Sequence, residues 1–184
     1  MKAAIVISAL IACVSACAPQ PEAVPRATAY PRPALPDTAS TTTQIGSITT
    51  RICAQAIVAR PRPDWLSVSF PTLNASIHIT ATNTTAQALQ QVKANRMQRL
   101  LLNIGSATSS NREFTTANGF VAIITTAPHS PTPVQFLATD QSTIVVSGAV
   151  YIPEANIAAP DSIAPIIQYF EHEALRIITS IRHD

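Results

Sequence analysis

The chain has 184 residues, of which 47% are hydrophobic and 12% are charged, and its formal net charge is +2. That length permits one domain of ordinary size with a buried core. The lysines and arginines are scattered, without the clustered basic stripe that binds a phosphate backbone, so the composition argues against nucleic acid as a partner. Abundant threonine, alanine and isoleucine, with few aromatic residues, favour a β-rich or mixed fold.

The first residues have the pattern of a bacterial lipoprotein signal. Lys2 precedes an apolar run at residues 3–14 that is too short to span a bilayer. The run ends in VSAC, which resembles the lipobox in which a cysteine, here Cys17, is acylated with fatty acids such as palmitate. Cys13 follows a similar pattern, although cleavage there leaves a very short apolar region, and an ordinary secretory signal cut nearby is the other alternative. The sequence therefore predicts a signal peptide at residues 1–16 and an anchor that does not span the membrane.

The residues after Cys17 predict the location of the anchor. Ala18 follows it, rather than the aspartate that retains lipoproteins in the inner membrane of well-studied bacteria, so we expect the outer membrane. An acidic cluster that exports some lipoproteins to the cell surface is also absent after the cysteine, so we expect the domain to face the periplasm. The lipidated cysteine and a proline-rich tether occupy residues 17–44, where a polar run at residues 38–43 is expected to be a loop. Residues 45–184 are expected to form a single domain.

Cys53 lies in a β-branched run at residues 48–58, which predicts a strand. If the two cysteines of the signal region are acylated or removed, Cys53 has no partner for an intramolecular disulfide. A buried, inert thiol is the plain interpretation. A nucleophilic thiol would need a base beside it, such as His78 or His129.

Residues 64–80 predict a β-hairpin with one side facing solvent. Apolar and polar residues alternate on both sides of Pro71, as in strands whose two faces meet different surroundings. The buried face would carry Leu66, Val68, Phe70, Ile77 and Ile79, and the solvent face Trp65, Ser67, Ser69, Ser76, His78 and Thr80. His78 is therefore expected to be exposed to solvent rather than to bind a ligand.

A helix of about twenty residues is predicted next, from a capping pattern at Thr84 to a stop at Gly105. Its apolar stripe consists of Leu89, Val92, Met97, Leu100, Leu101 and Ile104. Its flank carries three basic residues, Lys93, Arg96 and Arg99. They either form a solvated helix face or meet an acidic partner or lipid headgroups. Residues 106–111 are expected to be a loop and residues 120–126 a strand.

Residues 134–181 predict a β-hairpin followed by a closing helix. In the hairpin, Gly148 marks a place where a helix or another backbone could approach closely. The helix would start at Asp161 or Ser162, which can cap its first turn. Its apolar stripe consists of Ile163, Ile166, Ile167, Phe170, Ala174, Ile177, Ile178 and Ile181. Its other side carries Glu171, His172, Glu173 and Arg176. These predict a solvated helix face rather than a catalytic or metal site, because their spacing differs from HExxH.

Two hairpins that each lead into a helix, with another strand between them, predict an α+β fold. A mostly antiparallel sheet would be covered by two amphipathic helices. The order is similar to the PsbP/Mog1 sandwich by analogy, which indicates nothing about ligand or activity.

The sequence contains no GxSxG, HExxH, CxxC or phosphate-loop pattern and only four glycines. It therefore predicts a non-enzymatic protein without catalytic, cofactor-binding or metal-binding residues.

Several stretches resemble a known family. PTPVQFLATD, SGAVYIP and DSIAPIIQYFEHEALRIITSIR occur in the same order as similar segments in the C-terminal part of the gliding motility lipoprotein GldD family of the Bacteroidota. AYPRP and DWLSVSFPTLNASIHIT resemble the start of that family's mature domain and an earlier strand pair. None of these stretches is a catalytic fingerprint, so the resemblance identifies a family without identifying a chemistry.

The resemblance implies an outer-membrane lipoprotein of the gliding motility apparatus, which in that phylum is bound up with the type IX secretion system. Its partners would be the outer membrane, through the lipid anchor, and other lipoproteins of the motility or secretion machinery, reached by protein–protein contacts. No small-molecule substrate is expected. The alternative is a lipid-anchored periplasmic binding protein that holds a small apolar ligand in an enclosed pocket of a few hundred cubic ångströms between sheet and helix.

Overall fold

The computed structural model describes residues 34–153 and 160–184, which form two antiparallel β-sheets and two helices. The strands are β1 (Ser40–Ile45), β2 (Ile48–Cys53), β3 (Ile57–Arg62), β4 (Trp65–Phe70), β5 (Ala75–Asn83), β6 (Ser110–Thr115), β7 (Val121–Thr126), β8 (Val134–Thr139), β9 (Ile144–Tyr151) and β10 (Arg182–His183). The helices are α1 (Leu89–Ile104) and α2 (Pro160–Thr179), and a 3-10 turn covers Pro71–Leu73. The large sheet has the order β3-β4-β5-β9-β8-β7-β6, and the small sheet has the order β1-β2-β10. The predicted α+β fold, with a mostly antiparallel sheet and two helices, is confirmed.

The middle of the large sheet is covered on both faces. Every residue of β8 is buried, and so are most residues of β9. Strands that are buried on both sides need apolar cover above and below, which the two helices supply. Nearer one edge, β4 and β5 alternate as predicted, and Leu66, Val68, Ile77 and Ile79 are all buried.

Helix α2 and the small sheet cover one face of the large sheet. The predicted apolar stripe of α2 is confirmed, since all of its members from Ile163 to Ile181 are buried. The helix begins at Pro160, so Asp161 and Ser162 lie inside its first turn rather than at its start. After α2 the chain forms β10, which pairs with β2 and so fixes the end of the closing helix to the small sheet.

Helix α1 covers part of the other face. Its buried Leu89 and Leu100 pack with Leu137 of β8 and Val145 of β9. Leu101 was expected in the same stripe, but it is 59% exposed. Leu100 already occupies the position that faces the sheet, and the next residue along an α-helix is turned away by about 100°.

Helix α1 also begins later than predicted, at Leu89 rather than Thr84. Strand β5 continues to Asn83, so sheet pairing extends up to the residues on which the predicted cap depended. Thr85 Oγ1 accepts a hydrogen bond from the Ala88 N–H at 3.3 Å, within the turn that precedes the helix. The predicted capping pattern is therefore wrong, because tertiary pairing overrides the local preference.

Two polar strands occupy segments that were predicted to be loops. Strand β1 includes most of residues 38–43, and β6 begins within residues 106–111. Their side chains are mostly exposed, so no strong apolar alternation marks them, and each strand is held by its ladder to one neighbour. The single strand predicted at residues 48–58 is instead divided by a turn into β2 and β3, which belong to different sheets.

Gly148 marks a close approach, as predicted, but a side chain makes it. Strand β8 places Phe136 directly opposite Gly148, and the Phe136 ring lies over the glycine. A Cβ atom at residue 148 would have three atoms of that ring within 2.9 Å. The prediction that a helix or another backbone approaches here is wrong, since the phenyl ring of the neighbouring strand fills the space.

Candidate functional site

Part of the large sheet, formed by β4, β5 and the end of β9, lies outside the area that α1 covers. We call its partly exposed surface the open face. It consists of Trp65, Ser67, Ser69, Ser76, His78, Thr80 and Tyr151. Near the end of β5, on the same side, the Thr82 hydroxyl accepts a hydrogen bond from Arg96 of α1 at 2.8 Å. Most side chains of the open face are small and polar, so the aromatic ones stand out from it.

Three rings form a row across the open face. The ring centroids of Trp65 and His78 are 6.2 Å apart with an interplanar angle of 57°, and those of His78 and Tyr151 are 5.0 Å apart at 72°. The strand register explains the row. His78 lies opposite Ser67 on one side and opposite Ala149 on the other, while Trp65 and Tyr151 are each two residues from those small partners. They are the diagonal neighbours of His78, within reach of aromatic side chains.

The His78 imidazole is half-buried, so the prediction of a solvent-exposed histidine is wrong in degree. The rings of Trp65 and Tyr151 flank it, and the sequence places these rings far apart along the chain. Its Nε2 lies 3.4 Å from Ser76 Oγ, whereas its buried Nδ1 has no hydrogen-bond partner among the described residues. Burial lowers the pKa of His78 because it disfavours the charged form.

We expect His78 to titrate below its ordinary value of 6.5 in the folded protein. The unfolded chain then binds this proton more readily than the folded chain, so the free energy of unfolding should fall as the pH decreases through the window below 6.5. Imidazole resonances followed by NMR against pH measure the pKa directly. Assignment comes from the loss of one titrating signal in His78→Gln, and a pKa at or above 6.5 would contradict the expectation.

A second feature is a buried polar cluster between β2 and α2. Glu173, predicted to lie on a solvated helix face, is 0% exposed. Its Oε1 accepts a hydrogen bond from the Cys53 N–H at 2.6 Å, and its Oε2 lies 2.9 Å from Arg176 Nη1 in an ion pair that lacks hydrogen-bond geometry. Burial raises the pKa of Glu173, and the Cys53 N–H and Arg176 oppose that rise. The prediction failed because the small sheet covers this side of α2.

Tyr169 completes the cluster. Its hydroxyl is buried and finds no hydrogen-bond partner within the part of the chain that the structure describes. Burial raises the pKa of Tyr169, and the neighbouring Cys53 and Glu173 raise it further, so the phenol stays neutral. Its ring meets Phe70 edge-on, with centroids 6.0 Å apart, and thereby joins the cluster to the core.

The hydrogen bond from Cys53 to Glu173 joins β2 to α2. Cys53 is fully buried, as predicted, and Glu173 bonds to its backbone N–H rather than lying at its thiol. His78 lies on the open face, on the side of the large sheet away from the small sheet, so the structure does not bring it to Cys53. His129 is exposed in the loop between β7 and β8. Within residues 34–153 and 160–184, no three His, Cys, Asp or Glu side chains gather as metal ligands would.

The three basic residues of α1 do not act as one row. Arg96 is turned toward the sheet and bonds to Thr82, and burial, followed by the charge of Arg99, lowers its pKa. Lys93 lines a pocket beside Glu113, whereas Arg99 is exposed. Only part of the predicted basic flank is therefore available to a partner.

The pockets near these features are small or open. One between α1 and the sheet has a volume of about 130 Å³ and is lined by residues such as Met97 and Leu137. A larger groove of about 480 Å³ opens at the end of β4, β5 and β9, beside Tyr151. The pocket of about 130 Å³ between α1 and the sheet is smaller than the enclosed cavity of a few hundred cubic ångströms that an apolar ligand would need there.

The comparison with known families decides the identity of the chain. A family model described as gliding motility lipoprotein GldD matches residues 20–183, which includes nearly all of the described structure. The chain belongs to the GldD lipoprotein family. The resemblance noted in separate stretches of the sequence therefore extends through the whole domain. A comparison with curated proteins finds no match.

Membership of the GldD family makes this chain a gliding motility lipoprotein, which is anchored to a membrane. Cys17, the predicted acylation site, and the alternative Cys13 lie outside the described residues, so the choice between them stays a prediction. In the described part of this GldD lipoprotein, neither helix is long and apolar enough to cross a bilayer.

Proposed function

We propose that this GldD-family protein is a non-enzymatic outer-membrane lipoprotein of the gliding motility and type IX secretion apparatus, and that it acts through protein–protein contacts. The protein would be anchored through Cys17 in the outer membrane, because no aspartate follows that cysteine, and the domain would face the periplasm, because no acidic cluster of the kind that exports lipoproteins to the cell surface follows it either. The observation that carries the proposal is the open face, where Trp65, His78 and Tyr151 form an aromatic row on an otherwise small-side-chain surface. The partners would be other lipoproteins or subunits of the same machinery.

The open face has the composition that protein interfaces favour. Tryptophan and tyrosine are enriched among the residues that dominate binding energy, while small side chains around them allow a partner to approach closely. Lowering of the His78 pKa keeps its ring uncharged at neutral pH, so a partner can cover it without burying a charge.

A pull-down from detergent-solubilised envelopes tests the proposal. The tagged, lipidated wild type should recover motility or secretion lipoproteins, identified by mass spectrometry. Trp65→Ala should lose most of that recovery, because truncating a central interface tryptophan weakens binding by about 2 kcal/mol or more, roughly thirtyfold. A Cys17→Ala variant in parallel tests whether membrane anchoring is needed for the same recovery.

The matched control is Phe114→Ala, which removes a ring of similar size from β6, at the opposite edge of the large sheet. It should keep the recovery of the wild type. Equal recovery by Trp65→Ala and the wild type would contradict a role for the open face. Recovery of a lipid or small molecule alone would instead favour the ligand-binding alternative.

A further inference from the structure

The large apolar side chains that are exposed are confined to one end of the described domain. Six such residues occur among residues 34–153 and 160–184, and we call them the apolar rim. They are Leu35, Ile57, Val58, Leu101, Leu102 and Tyr151. Leu102 is 72% exposed and Ile57 is 61% exposed. Contact of this much apolar surface with water is unfavourable in free energy.

The strand register places one part of the rim. Ile57 is the first residue of β3 and lies opposite Ser69, which lies opposite Ser76, which in turn lies opposite Tyr151 at the end of β9. These four residues form one line across the end of the sheet. Val58 follows Ile57 by one residue.

Helix α1 ends at the same place. The Asn103 carbonyl accepts hydrogen bonds from Ser130 Oγ at 3.1 Å and from Thr132 Oγ1 at 3.4 Å. Those residues belong to the loop between β7 and β8, and Ile152, next to Tyr151, donates its N–H to the Pro131 carbonyl of that loop. Leu101 and Leu102 therefore lie at the end of the sheet that carries Tyr151.

The chain that follows the predicted anchor enters the domain at this end as well. The Asp37 N–H donates to Gln55 Oε1 at 3.1 Å, and the Ala54 N–H donates to the Ala39 carbonyl at 2.9 Å. Ala54 and Gln55 belong to the turn that connects β2 to Ile57, so these bonds hold the segment before β1 against that turn. Leu35 is two residues before Asp37, so it joins the rim. We call this the tether end.

The opposite end of the sheet is different. It carries the turns at residues 46–47, 63–64, 116–119 and 140–143 and the last residues of the chain, and none of the large exposed apolar residues lies there. Its prominent side chains are polar, such as Asp140, whose carboxylate accepts hydrogen bonds from three backbone N–H groups of its turn. The apolar end is therefore the one at which Ala34, the first described residue, enters the domain.

We propose that the apolar rim rests on the surface of the phospholipid bilayer to which the protein is anchored. The sixteen residues between Cys17 and Ala34 let the chain span at most about 60 Å, so the acylated cysteine keeps the tether end close to lipid at high effective concentration. Leucine and isoleucine side chains enter the boundary between headgroups and acyl chains, where tyrosine is also favoured. Arg99, exposed one turn before Leu102, is placed to meet lipid phosphates.

This contact sets the orientation of the domain. With the tether end on the bilayer, the strands of the large sheet point away from the membrane, and the open face is turned sideways, where a neighbouring protein can reach it. Tyr151 belongs to both surfaces and lies at the border between them. The lipid contact does not depend on the proposed function, since it requires only the anchor and the rim.

Depth-dependent fluorescence quenching tests the contact with the full lipidated protein. The chain has a single tryptophan, Trp65, at the far end of β4 from the rim. In vesicles of phosphatidylethanolamine and phosphatidylglycerol with brominated acyl chains, wild-type emission should match that in unbrominated vesicles. Leu102→Trp should add emission that brominated lipid reduces about twofold, because this side chain enters the acyl boundary.

A second substitution provides the control. Leu101→Asp, added to Leu102→Trp, should abolish the quenching because a charge at the rim cannot enter the bilayer. Gln91→Asp, added instead on the exposed side of the same helix near its start, should leave the quenching unchanged. Unfolding curves confirm that all variants fold. Absence of quenching for Leu102→Trp overturns the proposal. The rim would then be a surface that another protein covers rather than one that contacts lipid. Because these vesicles contain no protein partner, the result is independent of the pull-down.

Discussion

Replacing Glu173 with alanine is expected to lower the free energy of unfolding by about 3 kcal/mol. The carboxylate is fully buried, accepts the Cys53 N–H and pairs with Arg176. Alanine removes both interactions at once and leaves a buried N–H and a largely buried guanidinium without the partner they had. Denaturant unfolding followed by the fluorescence of Trp65 measures the loss.

The matched variant is Glu173→Gln. It keeps the size of the side chain and an oxygen that accepts the Cys53 N–H, and it removes only the buried charge. We expect Glu173→Gln to lower the free energy of unfolding by less than about 1 kcal/mol, because the removal of a buried charge offsets much of the energy of the lost ion pair. If glutamine destabilised the domain as much as alanine, the hydrogen bond to Cys53 would not be the important interaction.

The same pair of variants gives a pH dependence. Burial raises the pKa of Glu173 above its ordinary value of 4.5, so the folded chain binds this proton more readily than the unfolded chain. The part of the stability that comes from protonating this carboxyl group is therefore fully present below pH 4.5 and is lost as the pH rises through the folded pKa, whereas the hydrogen bond from the Cys53 N–H persists in both protonation states. Unfolding curves on both sides of that window should show this decline for the wild type relative to Glu173→Gln. If the free energy of unfolding changed with pH in the same way for the wild type and for Glu173→Gln, the raised pKa would be contradicted.

Gly148→Ala should lower the free energy of unfolding by about 2 to 3 kcal/mol, as overpacking of a core does. The added methyl group would meet three atoms of the Phe136 ring within 2.9 Å. Phe136 is fully buried between the sheet and α2, so its ring has no free space into which to move. Thermal unfolding measures the effect as a lower midpoint temperature.

Two further variants separate crowding from other causes. Gly148→Ala combined with Phe136→Leu should recover part of the loss, because leucine removes the ring atoms that meet the new methyl group. Ser147→Ala changes the neighbouring residue on the other face of β9 and should alter the free energy of unfolding by less than about 0.5 kcal/mol. An effect of Gly148→Ala as small as that of Ser147→Ala would show that the ring can shift.

The sequence predicted the elements whose side chains alternate or repeat most clearly. The stripe from Ile163 to Ile181 lies against the core, and the alternation around Leu66 and Ile77 defines the hairpin of β4 and β5. The polar strands β1 and β6 were missed because hydrogen bonds to a neighbouring strand hold them, and those bonds leave little trace in hydrophobicity. Missing β1 and β10 also hid the small sheet, and with it the burial of Glu173.

The candidate site was predictable only in part. The solvent side of β4 and β5 was recognised, and with it Trp65 and His78. Tyr151 joins them from β9, and only the long-range pairing of β5 with β9 brings it there. The apolar rim was not predicted, since its members come from four separate segments and share no spacing in the sequence.

The small sheet has a consequence for how the protein is made. Its first two strands are synthesised early, but the third strand, β10, and the helix beneath them are the last parts of the described chain to leave the ribosome. Such non-local pairing gives a high contact order, with folding times of about milliseconds to seconds for β-rich domains. Until α2 and β10 have been synthesised, the apolar side chains that α2 covers on the large and small sheets have no partner, so the core cannot close around the part of the chain that is already made.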